Sequence, residues 1–169
     1  MSLRLTLIRH SVTELNTAGV LRGWLDPPLS EIGISLAKQL PRFTGRLYSS
    51  DLLRARMTSE WLGRATYTLA LRPWNVGEYA GAPMDHVHEK LAALRELYTV
   101  PCPGGESFHA FVQRYLGFLL SLTEDSVLVT HYRNFYVMRC WTKALVPYAD
   151  IEYNVEPCSI LRVNWRNAK

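Results

Sequence analysis

Two histidines, His10 and His131, stand at the ends of short apolar segments, LTLIRH and SVLVTH. Arg9 precedes the first histidine, and Arg54 lies near the start of the segment DLLRARMTSEWL, whose apolar residues have helical spacing. A neutral imidazole can act as a nucleophile or accept a proton, and a guanidinium fork matches phosphate oxygens in a two-point geometry. These residue types together predict a site for an anion, and a phosphoryl group is the anion that they favour.

Each of these residues has an ordinary structural interpretation when it is taken alone. A single histidine at a strand end is more often structural than functional, and a single arginine at a helix start is usually a solvated surface group. The joint pattern is less easily explained by chance, because ligands of open α/β sheets lie beyond the carboxyl ends of the strands. Two strands that end in histidine would deliver both imidazoles to one crevice, beside a helix N-terminus that favours anions.

The spacing of apolar residues predicts the elements that would position this site. Strands are predicted at residues 3–8, 46–49, 66–72, 126–131 and 159–165, and helices at 30–40, 51–62, 86–97, 107–122 and 134–145. Strands that alternate with helices are typical of an α/β fold, and we expect three layers, α/β/α, around a mostly parallel central sheet. We expect residues 1–169 to form a single domain.

The composition is that of an ordinary globular protein. The 169 residues are 48% hydrophobic and 20% charged, with a formal net charge of +4. The basic residues are scattered, so we expect no nucleic-acid partner. Three cysteines at long spacings argue against a disulfide framework and against a cysteine-based zinc site. Because no segment resembles a secretory signal or a membrane span, we expect a cytoplasmic protein without a membrane partner, and a homo-oligomer is compatible with the sequence.

Five ordered blocks of the chain resemble the motifs of one protein family. LIRHSVTELN resembles LxRHGxTxxN, the opening motif of the histidine phosphatase superfamily, which is also called phosphoglycerate mutase-like. Four later segments resemble later motifs of the family in the same order: LRGWLDPPLSEIG, LYSSDLLRARMTSE, CPGGESFHAFVQRY and VLVTHYRN. The last of these segments resembles the family motif VxxVTHGGV. Within this family, these blocks most resemble those of the small bacterial phosphatases of the α-ribazole-phosphate type. The resemblance implies a phosphoglycerate mutase-like fold.

The resemblance also implies a role for each matching residue. His10 would be the nucleophile that forms a phosphohistidine, and it must be neutral, so its other ring nitrogen would donate to a carbonyl. Five residues would surround the phosphoryl group as cations or hydrogen-bond donors: Arg9, Arg22, Arg54, His131 and Asn16. No cofactor and no metal ion is implied, because the arginines and the second histidine take the place of divalent ions. The expected partner is a small phosphorylated substrate.

The chain departs from the family's motifs at three places. Ser11 and Tyr132 stand where the family has glycine. The Ser11 hydroxyl would reach the phosphate if its backbone φ is negative, and the Tyr132 ring would lie across the pocket mouth. Pro73 stands where the family has the glutamate that protonates the leaving oxygen, and Glu78 in the same loop is the substitute candidate, although it reads equally as an exposed loop carboxylate. Weaker candidates for the acid are Asp85 and Glu106.

Four functions are compatible with these residues. The leading hypothesis is a phosphomonoesterase that hydrolyses a small phosphorylated metabolite through a phosphohistidine, with activity weakened by Pro73. The second is a catalytically degraded relative that binds a phosphate ligand. A mutase fits less well, because mutases carry longer insertions before the second histidine. The fourth is a metal site built from His86, His88, His109 and His131. Against it, His86 and His88 are two positions apart, so they would not share a helical face.

Substrate selectivity is expected to lie in residues 73–105, where the resemblance to the family is weakest. Aromatic rings in or near this segment could stack on a base or a sugar, or they could be ordinary packing. The rings concerned are those of Trp24, Trp74, Tyr79 and Tyr98.

Overall fold

A five-stranded sheet forms the centre of the protein in a computed structural model, which describes residues 2–149, 151 and 153–166. The strands are β1 Ser2–Arg9, β2 Arg46–Ser50, β3 Thr66–Thr68, β4 Ser126–Thr130 and β5 Ile160–Arg166. Their order across the sheet is β3-β2-β4-β1-β5. The first four strands in this order run parallel, and β5 pairs antiparallel with β1 at the edge. The predicted α/β fold with a mostly parallel sheet is confirmed.

Helices and short 3-10 turns connect these strands. The α-helices of the described residues are α1 Glu14–Thr17, α2 Glu31–Lys38, α3 Leu53–Ser59, α4 Met84–Glu96, α5 Phe108–Ser121 and α6 Tyr132–Thr142, and the 3-10 turns are Leu69–Leu71 and Gly77–Tyr79. Ser30 accepts a hydrogen bond from the Gly33 N–H at 3.1 Å, and Ser107 accepts one from the Ala110 N–H at 3.1 Å. These side chains cap α2 and α5 at the residues where the two helices are predicted to begin.

Helices cover both faces of the sheet, which gives the three expected layers. Successive residues of a strand point to opposite faces. Leu7 therefore packs into the larger core with α5 and α6, whereas Ile8 packs with Ala55 of α3 on the other face. Leu128 and Val129 of β4 are divided between the two faces in the same way. All four strand residues are fully buried, and each contributes roughly 1.5–3 kcal/mol relative to an exposed side chain.

The strand predicted at residues 66–72 is shorter in the structure. β3 ends at Thr68, and a 3-10 turn follows it. Arg114 of α5 holds this turn, because its guanidinium donates to three carbonyl oxygens at 2.9, 3.1 and 3.2 Å, those of Leu69, Ala70 and Arg72. The contact joins residues more than 40 positions apart. The local pattern of apolar residues therefore gives no sign of it.

The helices differ from the expectation mainly at their boundaries. α6 begins directly after His131, before its predicted start at residue 134, and it ends at Thr142. The short helix α1 is absent from the sequence-based expectation. Within the described residues, no helix combines the length and the apolar character that a bilayer crossing requires.

The N-terminal part of α2 packs closely against the segment that follows His10. A Cβ atom built on Gly33 would lie 2.0 Å from the carbonyl oxygen of Val12. The Ser30 N–H donates to the same Val12 oxygen at 3.0 Å. Because this approach leaves no room for a side chain at residue 33, glycine at this position fixes the distance between α2 and the loop after β1.

Gly33→Ala should lower the free energy of unfolding by roughly 1–3 kcal/mol, the usual cost of overpacking. Inside a helix, alanine is otherwise more favourable than glycine by roughly 0.5–1 kcal/mol. Helix propensity alone would therefore predict a gain in stability, whereas the close contact predicts a loss. Urea denaturation measures the difference. Ser35→Ala, at an exposed position of the same helix, is the matched control and should change stability by less than about 0.5 kcal/mol. A gain in stability for Gly33→Ala would contradict the close contact.

Candidate active site

The pairing register of two parallel strands brings the two histidines together. Arg9 of β1 lies opposite Thr130 of β4, so His10 and His131 are the next residues beyond this pair. The His10 N–H donates to the Thr130 carbonyl at 2.9 Å. The centroids of the imidazole rings lie 5.1 Å apart at an interplanar angle of 56°, and both side chains are buried. The predicted convergence of the two histidines is confirmed.

Three arginines lie around the histidine pair. Arg9 ends β1, and its guanidinium donates to the Val155 carbonyl. Arg54 is the second residue of α3 and donates to two carbonyl oxygens of the loop 23–25 at 2.6 and 3.0 Å. Arg22 directly precedes this loop and is partly buried. By holding the loop, Arg54 fixes the segment that presents Arg22 to the histidines.

These side chains border a cavity of about 250 Å³, which we name the His10–His131 cavity. Its arginine and histidine side chains are Arg9, Arg22, Arg54, Arg133, His10 and His131. A largely apolar wall completes it, with the side chains of Trp74, Val76, Met84 and Leu91. Among the described residues, no carboxylate lines this cavity. The concentration of positive charge at a partly apolar surface favours an anion.

The surroundings of His10 keep its imidazole neutral. Burial lowers the pKa of His10 well below its usual 6.5. The positive charges of Arg54, Arg22 and Arg9, in that order, lower this pKa further. Nδ1 lies 2.7 Å from the Ser11 carbonyl oxygen, which can only accept, so Nδ1 is the protonated nitrogen. Nε2 therefore carries the lone pair, and the expected carbonyl partner of His10 is present.

His131 has one ring nitrogen with a partner and one without. Nε2 lies 2.8 Å from Ser50 Oγ, whereas Nδ1 is buried and makes no hydrogen bond within the described residues. Burial is the main cause that lowers the pKa of His131, and the charge of Arg54 is the next. The Nε atoms of Arg9 and Arg54 are also buried without a partner in the described part of the chain. A buried N–H group without a partner is costly.

Ser11 and Asn16, which the sequence suggests as contacts of the phosphate, do not line the cavity. Ser11 has no positive φ, so serine replaces glycine there without strain. Its hydroxyl donates to the Gly33 carbonyl at 2.7 Å, which directs it toward α2. The Asn16 side-chain oxygen accepts from the N–H and the hydroxyl of Thr13 at 3.0 and 2.8 Å, and so stabilises the start of α1. Both side chains are engaged in hydrogen bonds within the protein.

The carboxylates proposed as proton donors also lie outside the cavity. Pro73 lines it, at the position where the resemblance puts the acid. Glu78 is exposed and does not line it. Glu106 is paired with Arg114 at 2.7 Å, and Asp85 is exposed. The geometry therefore does not support Glu78 as the substitute acid, because a proton donor must come within hydrogen-bond reach of the leaving oxygen.

The residues that follow His131 contribute to the cavity. Tyr132 borders it, as expected, and its hydroxyl donates to the Tyr153 carbonyl at 2.5 Å. Arg133 also borders it and is a site residue that sequence reasoning missed; its position two residues after His131 was the available signal. Trp74 is the one aromatic candidate from the sequence that lines the described cavity, and the candidates that do not line it are Trp24, Tyr79 and Tyr98.

The hypothesis of a four-histidine metal site is not supported by the placement of these residues. His86, His88 and His109 do not line the cavity that contains His131. Within the described ranges, no group of three or more His, Cys, Asp or Glu side chains is arranged to hold a metal ion.

A neutral histidine beside a second histidine, both surrounded by arginines at the carboxyl edge of a mostly parallel sheet, defines an α/β protein with an oxyanion site. Residues 5–169 match the family model of the histidine phosphatase superfamily (branch 1). The chain belongs to this family.

Similar proteins include both mutases and phosphatases. The 2,3-bisphosphoglycerate-dependent phosphoglycerate mutase of Methylocella silvestris is 32% identical over an alignment 132 residues long, which covers 66% of this chain and 64% of that protein. Phosphoserine phosphatase 1 of Hydrogenobacter thermophilus is 31% identical over an alignment 131 residues long, which covers 69% of this chain and 62% of that protein. The chain thus spans less than two thirds of the length of these two relatives.

A solved structure supports the phosphoglycerate mutase-like fold. The crystal structure of phosphoglycerate mutase from Thermus thermophilus matches with a TM-score of 0.82 and 34% identity, over 96% of this chain and 94% of that chain. None of these three relatives is named as a phosphatase of the α-ribazole-phosphate type, so they support the family and not that finer likeness.

Acid should destabilise the fold through the two histidines. Their folded-state pKa lies below 6.5, so below this pH the unfolded chain binds protons that the folded protein does not bind. The free energy of unfolding therefore falls as pH falls, by up to about 1.4 kcal/mol per pH unit for each histidine. Urea denaturation at about pH 7 and about pH 5.5, in phosphate-free buffer, measures how much unfolding free energy is lost on acidification. This loss should be smaller for His10→Asn than for the wild type. An equal loss in both would show that His10 ionises freely in the fold.

Proposed function

We propose that the protein is a metal-independent phosphomonoesterase that hydrolyses a small phosphorylated metabolite through a phosphohistidine on His10. One observation carries this proposal. His10 is buried and neutral with its lone pair on Nε2, and its ring lies 5.1 Å from that of His131 in a cavity lined by arginines. Phosphoryl transfer needs mainly a positioned nucleophile and positive charge around the transferred oxygens. The described side chains supply both.

In the first step, Nε2 of His10 attacks the phosphorus atom in line with the leaving oxygen. An N–P bond forms while the P–O bond breaks, and the leaving oxygen departs with the electron pair. The Ser11 carbonyl, which accepts from Nδ1, orients the ring and stabilises the positive charge that the imidazole gains. The charge on the phosphoryl oxygens is stabilised by Arg9, Arg54, His131 and Arg22.

In the second step, water attacks the phosphohistidine. An O–P bond forms, the N–P bond breaks, and the electron pair returns to Nε2. Inorganic phosphate leaves, and the proton of the attacking water passes to solvent. The lowered pKa of His10 favours this step, because a weakly basic imidazole is a better leaving group.

The leaving oxygen departs without a carboxylic acid among the described residues of the cavity lining. A missing general acid typically lowers the rate by about 10²–10⁴-fold. Esters with a weakly basic leaving group, such as aryl and acyl phosphates, need no proton to depart. Because Pro73 occupies the position of the acid, we infer that the enzyme prefers these substrates to alkyl phosphates.

Two other functions have an observation in their favour. A catalytically degraded relative that binds a phosphate ligand is favoured by the lack of a carboxylate in the described cavity lining. A mutase is favoured by the names of the Methylocella and Thermus relatives, whereas the Hydrogenobacter relative is a phosphatase. The likeness to the α-ribazole-phosphate type, the single domain, the cytoplasmic location, and the absence of nucleic-acid and membrane partners stay predictions.

Mixing the protein with a ³²P-labelled aryl phosphate and quenching in denaturant should trap acid-labile phosphate on His10. His10→Asn should abolish both the label and steady-state hydrolysis, because the nucleophilic nitrogen is lost. His88→Asn, at an exposed histidine outside the cavity, is the matched control and should keep both. Hydrolysis that survives in His10→Asn would refute the proposal, and phosphate binding without any label would favour the binding protein.

Pro73→Glu should restore a proton donor at the cavity wall. The rate for glycerol 2-phosphate relative to 4-nitrophenyl phosphate should rise at least about tenfold, because the alkyl ester alone needs the proton. Pro73→Gln has a similar shape without the acid, and it should leave the ratio near that of the wild type. An equal rise in both variants would mean that the loss of proline, and not the gained acid, changes the site.

A further inference from the structure

Arg133 borders the His10–His131 cavity but has no part in the steps derived above. It is the second residue of α6 and follows Tyr132 directly. In the motif VxxVTHGGV the corresponding position is glycine, so this side chain is a feature of this chain. Arg133 adds a fourth guanidinium to a cavity in which Arg9, Arg22 and Arg54 already face the phosphoryl position.

No carboxylate of the described residues compensates the charge of Arg133. Its guanidinium makes ring contacts in this part of the chain, 5.7 Å from the Tyr132 centroid and 5.9 Å from that of Tyr136. Two other partly buried arginines do have carboxylate partners, at 2.7 Å in each pair: Arg72 with Asp51, and Arg114 with Glu106. The like charge of Arg95, whose guanidinium carbon lies 5.5 Å from the centroid of the same Tyr136 ring, also acts on Arg133. Burial, and then this like charge, lower the pKa of Arg133.

A phosphate monoester dianion does not match all of this positive charge. Arg9 and Arg133 lie near one ring, with their guanidinium carbons 5.6 and 5.7 Å from the Tyr132 centroid. That ring is fixed through its hydroxyl, which donates to Tyr153 at 2.5 Å. Tyr132 therefore holds two guanidinium groups at the border of the same cavity. A half-buried charge that lacks a counter-ion is costly, and an anionic group on a ligand would remove that cost.

We propose that Arg133 binds a second anionic group on the substrate, a carboxylate or a second phosphate carried by the leaving group. This proposal rests on the proposed function, since it assigns the first phosphoryl group to the histidine pair. The apolar wall of Val76, Met84 and Leu91 would receive the carbon skeleton between the two anions. Arg133 is then a residue that determines specificity, through a charge-assisted contact that neutral analogues lack.

Binding measurements in a His10→Asn background test the proposal without turnover. The probes are 4-carboxyphenyl phosphate and 1,4-phenylene bisphosphate. They are compared with 4-carbamoylphenyl phosphate, whose second substituent is a neutral amide. Calorimetry should show that at least one of the probes with a second anion binds about tenfold or more tightly than the neutral one, and the two probes distinguish a carboxylate from a phosphate subsite. Arg133→Gln should reduce this preference to less than about twofold, and Arg133→Lys should keep part of it.

Arg139→Gln is the matched control, because it removes the same charge from the exposed side of the same helix, away from the cavity. It should keep the preference. The proposal would be overturned if the ratio of Kd values between the amide probe and the probes with a second anion were near one in the protein that retains Arg133. It would also be overturned if a ratio of about tenfold survived Arg133→Gln. A wild-type protein that forms no phosphohistidine, but whose preference depends on Arg133, would refute the proposed hydrolysis and leave the subsite standing. If no probe binds, the subsite proposal fails, whereas the labelling of His10 in the wild type still decides the proposed hydrolysis.

Discussion

The site depends on the parallel pairing of β1 with β4 in a single register. Because Arg9 lies opposite Thr130, the two strands end side by side and deliver His10 and His131 to one edge of the sheet. A shift of one residue would turn every side chain of a strand to the other face. The register is fixed by fully buried apolar residues of both strands, so the packing of the core and the geometry of the histidine pair have the same cause.

Buried positive charge links substrate binding to the state of the nucleophile. Burial lowers the pKa of Arg54 to about 9 and that of Arg22 to about 10, so both remain charged at neutral pH. Carbonyl oxygens partly compensate the charge of Arg54, and Asp26 lies 3.8 Å from it. The same charges oppose protonation of His10. The cations that would hold a phosphoryl group therefore also keep the attacking imidazole neutral, and no separate base is required for that purpose.

The loop that contains Pro73 is held by contacts that leave its carboxylates outside the cavity. The Pro73 carbonyl accepts from Trp24 Nε1 at 2.9 Å and from Arg114 at 3.3 Å. Glu106 pairs with the same arginine and accepts from the Asn75 N–H at 2.9 Å. These bonds fix the path of the loop. On this path the apolar side chain of Pro73 lines the cavity that contains the histidines. Among the described residues, the cavity consequently offers positive charge without a carboxylic acid.

The sequence alone determined the fold class and five residues of the cavity lining: His10, His131, Arg9, Arg22 and Arg54. Their signals are local, because strand ends, helix starts and ordered motifs are written in consecutive residues. The tertiary structure decided that Ser11 faces Gly33, that Glu78 lies in solvent and that Arg133 borders the cavity. The position of a residue on an element fixes where its backbone lies. The direction of its side chain depends on packing between segments far apart in the chain, which no local pattern contains.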